Sequence, residues 1–235
     1  MNPANSYSPS WFAHFHAEIP ASRTKQEVEF ISSVAPLPDY KRVLDLGCGF
    51  GRHSRALSER GYAVTAIDRD AAAIEKARDL GGTATFIHAE MLEFQSKPGA
   101  FDLVIVMSQS FGYFDAETNR ELLGRLGVAV RNGGRVILDL WNPEFFIAHQ
   151  GVRDFDLPSG SVREQKHIDS GRLFVHLDYP FGGADDFEWQ LFTPSEMRSL
   201  AEAAELSLVV ACTDFSAMTK PDRNNPRLQF VLERT

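Results

Sequence analysis

Apolar residues fall into two patterns along this chain. Short, nearly continuous apolar runs at residues 43–46, 62–67, 84–88, 101–107 and 135–141 have the length and composition of strands buried on both faces of a sheet. Stretches of helical period lie between or before them: Val28, Ile31 and Val34; Ala56 and Leu57 ahead of polar Ser58, Glu59 and Arg60; residues 71–80; and residues 117–131 with Leu122, Leu123, Leu126 and Val130. Thr24-Lys25-Gln26-Glu27 has the spacing of a capping box that opens the first helix, which Pro36 and Pro38 end. Asn132-Gly133-Gly134 closes the last of these helices and turns into the fifth strand. Regular alternation of strand and helix predicts an α/β fold with a mostly parallel, doubly wound sheet.

The alternation breaks at residues 144–192. Residues 162–168 and 173–179 read as a hairpin around Asp169-Ser170-Gly171, and residues 187–192 as a third strand. Thr193-Pro194-Ser195-Glu196 is a second capping box, with Pro at the first helical position and a buried stripe of Met197, Leu200, Ala201 and Ala204. Two last strands, 206–212 and 227–232, flank a polar loop at 220–226. The parts are then an N-terminal segment (1–40), a core (41–143), an antiparallel insertion (144–192) and a C-terminal helix with two strands (193–235).

At 235 residues and 43% hydrophobic, the chain supports one sizeable α/β core. A formal charge of −8 disfavours a dedicated nucleic-acid binder, which needs a concentrated basic face. Cys48 and Cys212 form no Cys-x-x-Cys pair, and no histidine spacing suggests a metal. There is no signal-like leader and no apolar run near membrane-span length, so a cytoplasmic protein with no membrane partner is expected.

The candidate chemistry starts where the first strand ends, in Asp45-Leu46-Gly47-Cys48-Gly49-Phe50-Gly51-Arg52-His53. Strand, glycine turn and helix open a nucleotide-binding unit, because glycine lets backbone approach a ligand closely. In a Gly-x-Gly-x-x-Gly dinucleotide loop the third glycine stands one position later than Gly51. The acid at Asp45 would repel a pyrophosphate but suits a cationic ligand. The second strand ends in Asp68-Arg69-Asp70. A carboxylate there accepts two hydrogen bonds from a ribose diol, in either a nicotinamide or another nucleoside cofactor. Asp70 is placed as the cap of the next helix, with Asp68 as the alternative cap.

Asp45-Leu46-Gly47-Cys48-Gly49-Phe50-Gly51 closely resembles motif I of the class I S-adenosylmethionine (SAM) dependent methyltransferases. The resemblance extends through Asp68, Glu90-Met91 and Gly133-Gly134 in order, and it is weak over 144–192. It implies a Rossmann-like, seven-stranded sheet whose last strand runs antiparallel, with a small antiparallel insertion after strand five. It further implies a cofactor site built from Asp45, Gly47, Cys48, Gly49, Gly51, His53, Asp68 and Arg69. Glu90 and Met91 flank the adenine there, with Glu90 standing where Asp is usual, and Ser108 adjoins the site. Arg23 meets the SAM carboxylate or the substrate, or is simply a solvated helix-start residue. Ser108-Gln109-Ser110-Phe111-Gly112-Tyr113-Phe114 resembles small-molecule methyltransferases, and the Asn-Pro-Pro-Tyr type of nucleic-acid enzymes is absent.

A small-molecule acceptor is therefore expected, contacted by Gln109, Phe111, Tyr113, Trp11 and Trp141, with S-adenosylhomocysteine as product. Core packing is the competing reading for Phe111. Tyr113 is the first candidate to orient or deprotonate the acceptor, with His53 and His88 behind it. The N-terminal aromatics Tyr7, Trp11, Phe12 and Phe15, flanked by His14 and His16, form a lid or a docked helix. His167, His176, Asp178, Tyr179 and Trp189 are candidates to line the insertion, which covers substrate or makes a homodimer contact. The alternatives are a SAM-binding module without turnover, an RNA or protein methyltransferase, and a nicotinamide oxidoreductase.

Overall fold

The computed structural model describes residues 5–16, 19–158, 160–180 and 182–235. Its larger sheet holds β1 (Arg42–Leu46), β2 (Ala63–Asp68), β3 (Thr85–His88), β4 (Phe101–Val106), β5 (Val130–Trp141), β10 (Leu206–Cys212) and β11 (Arg227–Arg234), in the order β10-β11-β5-β4-β1-β2-β3. The first five strands pair in parallel, and β11 pairs antiparallel with both β5 and β10. The strands are apolar because both faces are covered. One face packs under α2 (Ala21–Val34), α3 (Arg52–Glu59) and α4 (Ala71–Asp79), the other under α5 (Ala116–Ala129) and α7 (Pro194–Ala203). Connections diverge in opposite directions from the neighbours β1 and β4, so a crevice opens beyond their carboxyl ends.

The second sheet, β6-β7-β8-β9, is antiparallel and stands apart. It comprises β6 (Gly151–Leu157), β7 (Gly160–Asp169), β8 (Arg172–Asp178) and β9 (Ala184–Gln190). Val162, Leu173, Val175, Leu177, Phe187 and Trp189 alternate onto one buried face with Phe146 of α6 (Pro143–Ala148).

Several local expectations change. The helix at 24–27 starts earlier, at Ala21 behind Pro20, so Thr24 and Glu27 lie inside α2 and form no capping box. The Thr193/Glu196 box is present in full. Residues 132–134 do not close a helix: α5 ends at Ala129, and the three lie within β5, where a Cβ on Gly134 would stand 2.7 Å from the Arg131 carbonyl. The insertion has four strands, because exposed, polar β6 adds an edge. No helix among the described residues is long and apolar enough to cross a membrane.

Candidate functional site

The glycine loop between β1 and α3 is held by its own backbone. Gly47 and Cys48 both donate to the Ile67 carbonyl at the end of β2, at 2.9 and 3.0 Å. All three glycines have positive φ, at 75, 53 and 72°. A Cβ on Gly47 would stand 2.9 Å from Ser110, and one on Gly51 would stand 2.5 Å from the Phe86 ring. One on Gly49 would meet nothing within 4 Å. Gly47 and Gly51 are therefore glycine for packing, and Gly49 faces open space.

That space is a cavity of about 420 Å³ beyond β1, β2 and β4, within the range of small-ligand sites. Gly47, Gly49, Asp68, Arg69 and Glu90 form the polar part of its wall. Asp68 closes β2 and accepts from the Gly49 and Asp70 N–H groups at 2.7 and 2.9 Å. Burial raises its carboxyl above the usual range, against the lowering effect of those two bonds. Asp70 also lines the wall and caps α4 through Ala72 and Ala73. Met91, Ile67 and Cys48 add apolar wall, and burial pushes the Cys48 thiol far up, so it stays protonated. Tyr7, Trp11, Phe12, Tyr113 and Phe114 form the aromatic part of the wall.

The N-terminal segment reaches this part of the wall by bridging the two sheets. Its α1 (Pro9–Trp11) is capped by Ser8, whose hydroxyl also donates to Asp185 at 2.7 Å. The Asn5 N–H donates to the Asp186 carbonyl at 2.9 Å, and its side-chain oxygen accepts from the Glu188 N–H at 2.8 Å. On the other side Arg69 donates to the Asn5 carbonyl, and Phe12 stacks on Phe50 of the glycine loop, 4.8 Å between ring centres. Of the candidate lid, residues 1–4, 17 and 18 lie outside the described residues, as does the His16 side chain.

The loop after β4 carries Tyr113. Ser108 and Gln109 take consecutive left-handed conformations, φ 53 and 61°. The Asp139 carboxylate accepts from the Ser108 N–H at 2.9 Å, and the Asp139 carbonyl from the Gln109 N–H at 3.0 Å. These bonds hold a turn that costs backbone strain. The Gly112 carbonyl accepts from the Gln190 N–H at 2.8 Å, tying the loop to β9. The Tyr113 hydroxyl meets the Tyr7 hydroxyl. Burial pushes Tyr113 up to about 12 and Tyr7 well above its ordinary value.

Behind the cavity lies a buried charge network. Glu27 binds Arg52, the His53 Nε2 (2.8 Å) and Arg227 (3.0 Å), with Arg23 at 3.4 Å. Burial alone would raise the Glu27 carboxyl. His53, Arg52 and Arg227 more than reverse this and hold it far below the usual range. Asp139 accepts from Arg227 (2.9 Å), Gln109 (3.1 Å) and Gln229 (2.9 Å). Arg52 also donates to Ser108 Oγ at 2.9 Å and lines the cavity.

The structure thus gathers Gly47, Cys48, Gly49, His53, Asp68, Arg69, Glu90, Met91, Ser108, Tyr113 and Trp11 around one cavity. Six expected residues are not on its wall. Asp45 is 1% exposed beneath the loop, where it accepts from Ser54. Gly51 packs on Phe86. Arg23 lines a different cavity. The Gln109 side chain turns inward to Asp139, and Phe111 is core beside Phe192. Trp141 packs on Phe146 and Trp189, its indole N–H buried without a partner among the described residues. His53 is committed to Glu27, and His88 is exposed with its Nε2 on the Arg69 carbonyl, so neither faces an acceptor as a base. Arg52 and Ser110 are wall residues that sequence reasoning did not select for the site, while Tyr7 and Phe12 were expected there only as part of a lid.

Strand order, glycine loop and crevice define a nucleoside-binding α/β protein of the doubly wound type. Residues 43–134 match the family model described as a methyltransferase domain. Over those residues the chain is similar to a methyltransferase domain. Over 152 residues it is 27% identical to a trans-aconitate 2-methyltransferase of Paracidovorax citrulli (strain AAC00-1), a match spanning 64% of this chain and 56% of that protein. Thus the chain spans little more than half the length of that curated relative. Its fold is similar to an S-adenosylmethionine-dependent methyltransferase from Clostridium acetobutylicum ATCC 824, with a TM-score of 0.80, 15% identity, and 95% and 96% of the two chains covered. It is also similar to SAM-bound CalS10, an amino pentose methyltransferase from Micromonospora echinaspora, with a TM-score of 0.75, 19% identity, and 98% and 99% covered. At these identities the structural likeness is one of fold.

Proposed function

We propose that this protein transfers a methyl group from SAM to an oxygen, nitrogen or carbon of a small-molecule acceptor and releases S-adenosylhomocysteine. The observation that carries the reading is one cavity lined both by polar residues, Gly49, Asp68 and Glu90, and by aromatic ones, Tyr7, Trp11 and Tyr113. The polar part fits a nucleoside. Asp68 holds a carboxylate at the wall to accept from a diol, Glu90 offers an acceptor for an exocyclic amine, and Gly49 presents no side chain to obstruct one. The aromatic part suits a sulfonium, because ring faces attract cations. SAM, when bound, supplies an already activated methyl group.

The protein's own task is alignment and exclusion of water. Tyr113 and Tyr7 remain protonated phenols at neutral pH and serve as hydrogen-bond donors to the acceptor. A small acceptor is favoured because Tyr7, Trp11 and Phe12 of the N-terminal segment form part of the cavity wall. The trans-aconitate and amino pentose methyltransferases named above add support for that class.

Calorimetric titration with SAM, S-adenosylhomocysteine and NADH tests the cofactor. Binding of the first two alone is expected, and binding of NADH alone would overturn the reading. Incubation of metabolite extract, RNA and protein with methyl-labelled SAM tests the acceptor. Label is expected in the small-molecule fraction, and label confined to RNA or protein would overturn a small acceptor.

A further inference from the structure

A second cavity, of about 340 Å³, lies at the start of α2 between that helix, the loop after β10 and the first residues of β11. Its wall carries two guanidinium groups, Arg23 and Arg227. Gln26, Thr213 and Asn225 add polar atoms, Phe215 and Pro226 add apolar surface, and Asp214 is the one carboxylate among the described lining residues. Asp214 is exposed to solvent.

Three arginines stand around this cavity against two buried carboxylates and the exposed Asp214. Arg23, Arg52 and Arg227 share the two buried carboxylates Glu27 and Asp139. Arg227 bonds both carboxylates while its guanidinium still lines this cavity, and Arg52 turns to the first cavity. Arg23, whose side chain is 47% exposed, is the least committed of the three. Its Nε donates to Glu27 at 3.4 Å, the long limit of a hydrogen bond, and its terminal nitrogens donate to no acceptor among the described residues. Burial first, and then the neighbouring Arg227 cation, lowers the Arg23 pKa, although both guanidinium groups share the Glu27 Oε1, Arg23 at 3.4 Å and Arg227 at 3.0 Å. The Arg227 guanidinium lies over the Phe215 ring, 4.8 Å from its centre, so its position is fixed from behind.

We infer that this cavity is a seat for a small organic carboxylate, held by Arg23 and Arg227 against the Phe215 and Pro226 wall, and that it communicates with the cofactor cavity through Glu27. The planar guanidinium fork matches a carboxylate, and the apolar wall suits a carbon skeleton over a bare inorganic ion. The link is short. Arg227 and Arg52 hold the same Glu27 carboxylate from opposite cavities, so an anion that draws on Arg227 changes what Arg52 receives. Coupling of this kind is reciprocal.

The test is calorimetric titration of the full chain with malonate, at constant ionic strength set with chloride, for the wild type and for Arg23→Gln. Arg23 lies outside the cofactor cavity, and the SAM affinity of the variant without malonate is measured as its own reference for the malonate effect. Saturable malonate binding is expected in the wild type and a loss of about tenfold or more in the variant. Equal binding by both proteins, or none by the wild type, would overturn the seat. Saturating malonate is further expected to move wild-type SAM affinity by at least about twofold and to leave the variant's unmoved. SAM affinity that ignores malonate in the wild type would overturn the communication. Arg23-dependent malonate binding by a protein that never binds SAM would instead overturn the methyltransferase reading and leave the seat in place.

Discussion

The hydroxyl groups of Tyr7 and Tyr113, 106 positions apart in sequence, meet at the aromatic part of the cavity wall. One belongs to the N-terminal segment and the other to the loop after β4, so their contact closes that part of the wall with two phenols.

Tyr113→Phe is expected to slow methyl transfer by about 10- to 100-fold, the scale of lost orientation, with SAM affinity held within about twofold. Burial pushes the phenol up to about 12, so it does not ionise at neutral pH. The rate profile between about pH 6 and 9 should therefore keep its shape in the variant. A profile that loses an ascending limb would show that Tyr113 acts as a base.

Asp68→Ala removes a charged acceptor from the polar part of the wall. It should cost about 1.5–3 kcal/mol of SAM binding, read by calorimetry beside the thermal stability of the variant. A folded variant with unchanged affinity would move the ribose elsewhere.

The glycines of the loop should separate by property. Gly51→Ala meets the Phe86 ring at positive φ and should lose about 1–3 kcal/mol of stability. Gly49→Ala meets open space, so only left-handed strain applies, about 1–2 kcal/mol, while SAM binding should fall because the new methyl enters the cavity. Equal SAM affinity in Gly49→Ala and wild type would contradict the placement of the cofactor.

Glu27→Gln should destabilise by about 3–5 kcal/mol, since it leaves Arg52 and Arg227 around an uncharged group. Folding holds the Glu27 carboxyl ionised well below its unfolded range. The wild-type advantage is therefore full at neutral pH and shrinks as pH falls below about 4. Urea unfolding of both proteins across that range measures it, and a gap that widens on acidification would reverse the assignment.

Much of the fold was legible because buried parallel strands and a glycine turn leave strong local signals. The runs at β1, β2, β4 and β10 lie within a residue or so of their positions in the fold. Strand β6 escaped notice because Gly151–Leu157 is an exposed edge whose polar residues have no core to declare. The polar part of the cavity wall was legible at Gly49, Asp68 and Glu90, since each follows a strand. Side-chain direction was not. Asp45 faces under the loop, while Gln109 turns back to Asp139 and Trp141 into the aromatic core, although all three lie at strand ends where ligands gather. Thr24 and Glu27 have capping-box spacing, yet Glu27 serves arginines 25 and 200 positions away. No local pattern encodes partners that distant.

That distance bears on how the protein is made. Glu27 emerges from the ribosome early, and the strand that carries Arg227 follows everything it pairs with. During synthesis the wall behind the cofactor cavity holds two acids short of a base until β11 inserts between β5 and β10. The wall behind the cavity is thus completed by β11, a high-contact-order step that follows formation of the local βα units before it.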